Sequence, residues 1–543
     1  MNSVATERVL LKLKRLVLVM ILAMFGLYSF QTHANDLSLT AATIKELNKA
    51  MDEGKLSSEK LVKLFQARIA AFDKKGPAIN AILTLNEKAL SQAIALDEER
   101  RTKGRRSPLH GIPILLKDNL DTFDMPTTAG SFLLEGSYPP DDAFIVKKLR
   151  DAGAIILAKA NMSELASGGP MSSLGGSTYN PHDINRSPSG SSGGSGASVA
   201  AAFGMMALGT DTGGSVRGPS SANGIVGLKT THGLLSRDGV IPLALSFDTV
   251  GPMARSVYDV AVSLGIMTGV DSADISTDKS KDKFHTDYTQ FLDANALIGA
   301  KIGVARIFMG NDYEVDWVME SALKNMKDAG AEIIDIKIPS WVIDVRGRLY
   351  RAIRYPEFKA QIKEYLATTG EGYPKSLDDL IARQMGLISR RADGVIPNPG
   401  RWELMLYENK STDLTGYEYN SVLTHGLPLI RSVLDGLMKE NGLDAIVYPT
   451  STTRPAKVDM DPTSSSGPGG GPSPVSLANL SGFPDLIVPA GFTGRGLPVS
   501  ISFLGTAFSE PRLLGLGYAF EQRTKALRLP AHTPVLEGEV ITN

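Results

Sequence analysis

At two distant places in this 543-residue chain a short apolar strand follows an amphipathic helix, and that alternation limits the fold more than any other feature. Phe144 to Gly153 carries helical spacing and stops at glycine; Ala154-Ile155-Ile156-Leu157-Ala158 then has the pattern of a buried strand. Ser321 to Gly330, followed by Ala331-Glu332-Ile333-Ile334-Asp335-Ile336, repeats it. Such units predict an α/β fold, a large mixed, mostly parallel sheet covered by helices on both faces. Upstream, Ile44, Leu47 and Met51 mark one amphipathic helix, and Leu61, Leu64, Phe65 and Ile69 a second, with a break near Gly54. Pro484 to Pro489 and Pro498 to Leu504 predict strands that close the same core, so 35–543 is expected to be a single domain. Segment 463–473, built of Ser, Gly, Pro and one Thr, predicts a flexible surface loop.

Residues 1–34 stand apart from that domain. Lys12, Lys14 and Arg15 precede a mostly apolar run, Leu16 to Phe30, and Thr32-His33-Ala34 puts small residues where a signal peptidase reads. The run is shorter than the ~20 residues of a spanning helix. Cleavage after Ala34 is therefore expected, giving a periplasmic or secreted protein that meets the membrane only transiently. A retained N-terminal anchor is the alternative. The formal charge of −1 is near neutral and does not suggest a nucleic-acid binder. Absence of cysteine excludes disulfides, cysteine-rich zinc sites and thiol nucleophiles. Export without cysteines suits a bacterial periplasm, where a large core holds without cross-links.

Sixteen of the 54 glycines fall between 168 and 233, yet apolar stretches such as Val199 to Met206 and Ile225 to Leu228 interrupt them. Glycines so placed serve tight backbone paths around a site rather than a linker. Two serine clusters lie among them: Pro188-Ser189-Gly190-Ser191-Ser192-Gly193-Gly194-Ser195-Gly196 and Thr210-Asp211-Thr212-Gly213-Gly214-Ser215-Val216-Arg217. A serine hydroxyl needs a base before it attacks. Gly190-Ser191-Ser192-Gly193-Gly194 matches the nucleophile-elbow pattern, which requires a buried strand just before it. Asn180 to Pro188 holds two prolines and no apolar run, so the context counts against an elbow. No phosphate-loop pattern is present. Lys117, after Ile112-Pro113-Ile114-Leu115-Leu116, can act as base if burial lowers its pKa from about 10.4. A strand-end lysine paired with Asp118, or reaching to water, is the bland alternative.

The apolar-Lys117-Asp118-Asn119 segment, the Gly190 to Ser195 cluster and Gly209 to Arg217 together resemble the amidase signature family of serine hydrolases. Val226 to Thr230, Asp248 to Arg255 and Asn479 to Pro484 agree, and the likeness runs from about 40 to 510. The resemblance implies Ser215 as nucleophile, with Ser191, following a cis Gly190–Ser191 bond, passing its proton to Lys117. Backbone N–H groups of Thr212, Gly213, Gly214 and Ser215 would form the oxyanion hole. Ser192, Asp211 and Arg217 are supporting residues, Asp211 and Arg217 by satisfying buried backbone and each other; Thr210 supports the loop, while Ser189 and Ser195 turn the chain. No metal and no cofactor are implied. The expected reaction hydrolyses a linear amide, a small molecule or short peptide amide, to acid plus ammonia or amine. The leader and the Gly233 to Pro242 run bring the chain nearest to family members acting on C-terminal peptide amides. A broad acylamidase for short aliphatic or aryl amides stays open, as does a catalytically silent binding protein on the same scaffold. The family's amidotransferase subunits work in the cytoplasm, and the leader counts against that branch. Segment 317–402, with Trp317, Trp341, Trp402, Tyr350, Tyr355, Phe358 and Tyr365, matches least, and its aromatics are either pocket wall or core.

Overall fold

The computed structural model describes residues 37–387, 398–458 and 474–541; the predicted leader 1–34 and the predicted loop 463–473 lie outside them. Eleven strands form one sheet: β1 (Ile82–Leu85), β2 (Pro113–Lys117), β3 (Ile155–Ala160), β4 (Met206–Asp211), β5 (Val226–Lys229), β6 (Thr249–Ala254), β7 (Lys301–Val304), β8 (Glu332–Asp335), β9 (Ala445–Pro449), β10 (Asp485–Phe492) and β11 (Pro498–Leu504). Their spatial order is β8-β7-β9-β11-β10-β5-β6-β4-β2-β3-β1. The sheet is mixed, as expected, but the expected parallel majority is corrected: four of the ten pairings are parallel. These are β8-β7-β9 toward one edge and β3-β2-β4 toward the other, with an antiparallel middle. Strands β4, β5, β6 and β11 are buried at every position, so they lack the polar alternation that usually marks antiparallel strands. The five-residue connection 493–497 between β10 and β11 was the available signal, being too short for a parallel crossover.

Helices cover both faces. Along β9, Ala445 and Val447 join one hydrophobic cluster while Ile446 and Tyr448 join another, as the two-residue period of a strand requires. Helix α1 (Ile44–Asp52) starts at a Thr43/Glu46 capping box, and helix α2 (Ser58–Phe72) at Ser57, whose hydroxyl accepts from Lys60 N. Ile44, Leu47, Met51, Leu61, Phe65 and Ile69 are buried as their spacing predicts, with Leu64 half-buried. Helix α3 (Phe144–Asp151) precedes β3. Around the site lie α4 (Gly193–Ala200) and α5 (Arg217–Ala222). Helix α6 (Tyr313–Asp328) gives Val315 and Met319 to the first cluster, and the long α7 (Ser340–Ala367) gives Val342 and Ile353 to the second. Among the described residues no helix is long and apolar enough to cross a membrane.

Candidate active site

Lys117 is the last residue of β2, with β3 and β4 parallel on either side. Leu116 pairs with Leu208, which sets Lys117 level with Gly209 and beside Thr210. Its side chain is fully buried, and Nζ lies 2.7 Å from both Ser191 Oγ and Thr210 Oγ1. Asn119 Nδ2 donates to the same Thr210 hydroxyl at 3.1 Å. Burial brings the lysine down to about 7, against the pull of the Asp211 and Asp248 carboxylates. The alternative pairing with Asp118 does not occur, because Asp118 is turned to Lys159 Nζ at 3.3 Å.

Ser191 sits at the start of α4, and the Gly190–Ser191 peptide is cis. Its carbonyl accepts from Ser163 N at 2.9 Å. Helix α4 can approach β3 closely because residue 194 is glycine: a Cβ there would lie 2.1 Å from Asn161 O. Ser192 knits the two serine clusters together. Its hydroxyl bonds Thr210 N and Thr210 O at 3.3 Å each, and its N–H donates to Ser215 O at 3.3 Å. Ser195 does more than turn the chain, donating from Oγ to Leu208 O at 3.0 Å.

The loop carrying Ser215 follows β4 and is shaped by Asp211. One carboxylate oxygen accepts from Gly214 N (2.8 Å) and Asn479 Nδ2 (2.8 Å), the other from Val216 N (3.0 Å) and Arg217 Nε (3.0 Å). Arg217 also donates to Asp485 Oδ2 at 3.0 Å and to Val475 O. Burial alone would raise the Asp211 pKa, but the adjacent guanidinium holds it below the usual carboxylate range. Thr212 Oγ1 donates to Asp248, whose other oxygen accepts from Leu243 N and Ala244 N, and burial raises Asp248 to about 6. The expected four-donor oxyanion hole is therefore corrected at Gly214, whose N–H Asp211 already holds. Those of Thr212, Gly213 and Ser215 have no side-chain partner among the described residues. Ser215 is half-buried, and its hydroxyl bonds no described residue.

Thr210, Asn119 and Asp248 carry more of the site than sequence reasoning assigned them, since their partners depend on strand register. The aromatics of 317–402 scatter. Trp317 and Trp341 are exposed, Phe358 is core with Trp402 packed beside it, and Tyr365 OH donates to Asp121 Oδ1 at 2.7 Å. Tyr350 lies against the loop that carries Ser215: a Cβ on Gly213 would lie 2.8 Å from its hydroxyl. Among the described residues no group of three or more His, Asp or Glu side chains is arranged to hold a metal ion.

The site thus joins a buried lysine to Ser191, beside the glycine loop that carries Ser215. The amidase family model matches residues 60–514, and the chain belongs to that amidase signature family, whose enzymes hydrolyse C–N bonds. The native peptide amidase of Stenotrophomonas maltophilia is 37% identical with a TM-score of 0.81, covering 91% of this chain and 99% of its own. An amidase family protein from Bacillus anthracis is 34% identical with a TM-score of 0.80, covering 91% and 92%. A glutamyl-tRNA(Gln) amidotransferase subunit from Caldanaerobacter subterraneus is 33% identical over 93% of this chain and all of that one.

Proposed function

We propose that this chain is an exported serine amidase that hydrolyses linear amides, C-terminal peptide amides among them, through an acyl-enzyme on Ser215. The observation that carries the mechanism is the 2.7 Å contact between Lys117 Nζ and Ser191 Oγ inside a fully buried pocket. A lysine at about 7 is half neutral near neutral pH, and its lone pair can take the Ser191 proton. Ser191 in turn takes the proton of Ser215 as that oxygen attacks the amide carbon. The N–H groups of Thr212, Gly213 and Ser215 stabilise the oxyanion, each such donor worth roughly 3 kcal/mol to the transition state. Collapse breaks the C–N bond, and the relay returns its proton to the leaving ammonia or amine. Water then adds to the acyl-enzyme by the same relay and releases the acid.

Asp211 and Arg217 act as positioning residues that fix the loop. Identity of 37% with the Stenotrophomonas maltophilia peptide amidase supports the peptide-amide substrate, and the leader pattern of residues 1–34 supports export. The test is ammonia release by the purified protein from an N-blocked dipeptide amide and from propionamide at equal concentration. Preference for the dipeptide amide is expected. Equal or reversed rates would make the protein a general acylamidase; no release from either would remove the amidase proposal.

A further inference from the structure

Helix α7 is tied to the catalytic half of the sheet along one face. Positions 354, 357, 361 and 365 recur at helical spacing from 350, and each makes a polar contact with the core. Arg354 Nη2 donates to Ser167 Oγ (2.9 Å), Glu357 Oε2 accepts from Ser246 N (2.9 Å), Gln361 Oε1 accepts from Leu245 N (2.9 Å) and Tyr365 OH donates to Asp121. Tyr350 begins that stripe and is its exception. Its ring stacks on buried Phe247, centroids 5.4 Å apart and planes inclined by 17°. Its hydroxyl lies against Gly213, which is itself exposed. Yet it bonds no described residue, whereas Tyr365, Tyr419 and Tyr448 each donate to a carboxylate. Burial raises the Tyr350 phenol above its ordinary range, so it stays protonated and able to donate.

A phenol held by stacking, half-buried at the nucleophile loop and without an acceptor among the described residues, is suited to an acceptor on the substrate. The scissile carbonyl already has the loop N–H groups. In a peptide amide a second carbonyl precedes the scissile one by one residue, a step of about 3.8 Å between Cα atoms. We infer that Tyr350 is a specificity-determining residue whose hydroxyl donates to the carbonyl preceding the scissile amide. A simple aliphatic amide lacks that group. The inference rests on the peptide-amide activity proposed above.

Tyr350→Phe removes the hydroxyl and keeps the ring on Phe247. The experiment compares kcat and KM of wild type and variant for an N-acetylated dipeptide amide and for propionamide. The ratio of kcat/KM for the peptide amide to that for propionamide is expected to fall about three- to tenfold, mainly through KM, as loss of one neutral hydrogen bond implies. A ratio within twofold of wild type overturns the inference, including the case where both rates fall together, as a purely structural role would require. Wild-type enzyme that cleaves propionamide alone overturns it together with the peptide-amide proposal, and wild-type enzyme that cleaves neither overturns the amidase proposal as well.

Discussion

The proposed proton relay and the helical wall on α7 are assembled by different means. Strand register sets Lys117 beside Thr210, and short-range bonds of the 191–192 turn to Ser163, Thr210 and Ser215 bring Ser191 in, so that Nζ lies 2.7 Å from two hydroxyls. The wall on α7 is fixed by side chains that reach loops more than a hundred residues away in sequence, Gln361 to Leu245 and Tyr365 to Asp121 among them. A relay built on strands tolerates little displacement, because each hydroxyl has one place to be. A wall pinned by several separate side-chain contacts can lose one and keep its position. The two regions should therefore respond unequally to mutation.

The largest effect is expected at Lys117. Lys117→Met should lower kcat/KM by about 10²–10⁴-fold, the usual contribution of a general base. The pH dependence should change with it. Burial sets the wild-type lysine at about 7, and only its neutral form accepts a proton, so kcat/KM should fall about tenfold per pH unit below that value. This acid limb should be missing from the variant. Thr210→Val removes the second hydroxyl at Nζ and should cost about tenfold in kcat/KM. Loss of an acceptor also disfavours the ammonium, so the acid limb of this variant should move to lower pH.

The smallest effect is expected on the wall. Burial raises Asp121 to about 7 and the Tyr365 hydroxyl acts the other way, so Tyr365→Phe leaves a less satisfied carboxyl. Unfolding in urea should show a loss of about 1–2 kcal/mol, with kcat/KM changed less than in Thr210→Val. Equal losses of activity in these two variants would break the contrast between relay and wall.

The same contrast explains what the sequence made legible. Lys117, Ser191 and Ser215 stand in short contiguous motifs whose glycines mark close backbone approach, and the structure brings Lys117 and Ser191 into contact and sets Ser192 against Ser215. The helix-then-strand units at 144–160 and 313–335 were readable because each is local. Strand direction in the middle of the sheet was not, since burial on both faces erases the alternation that distinguishes antiparallel pairing. The engagement of Gly214 N–H by Asp211 needs the fold of a single loop, which residue types alone do not specify. Tyr350 was one of several aromatics with equal standing, and its place over Gly213 arises from packing across 137 residues of chain.

The most direct test of the relay is covalent labelling by a fluorophosphonate, followed by mass spectrometry of the modified peptide across pH 5 to 9. The account predicts one adduct, on Ser215, formed at a rate that rises with pH and levels off above about 7 as Lys117 loses its proton. No adduct on Ser215, or a labelling rate indifferent to pH across that range, would contradict it.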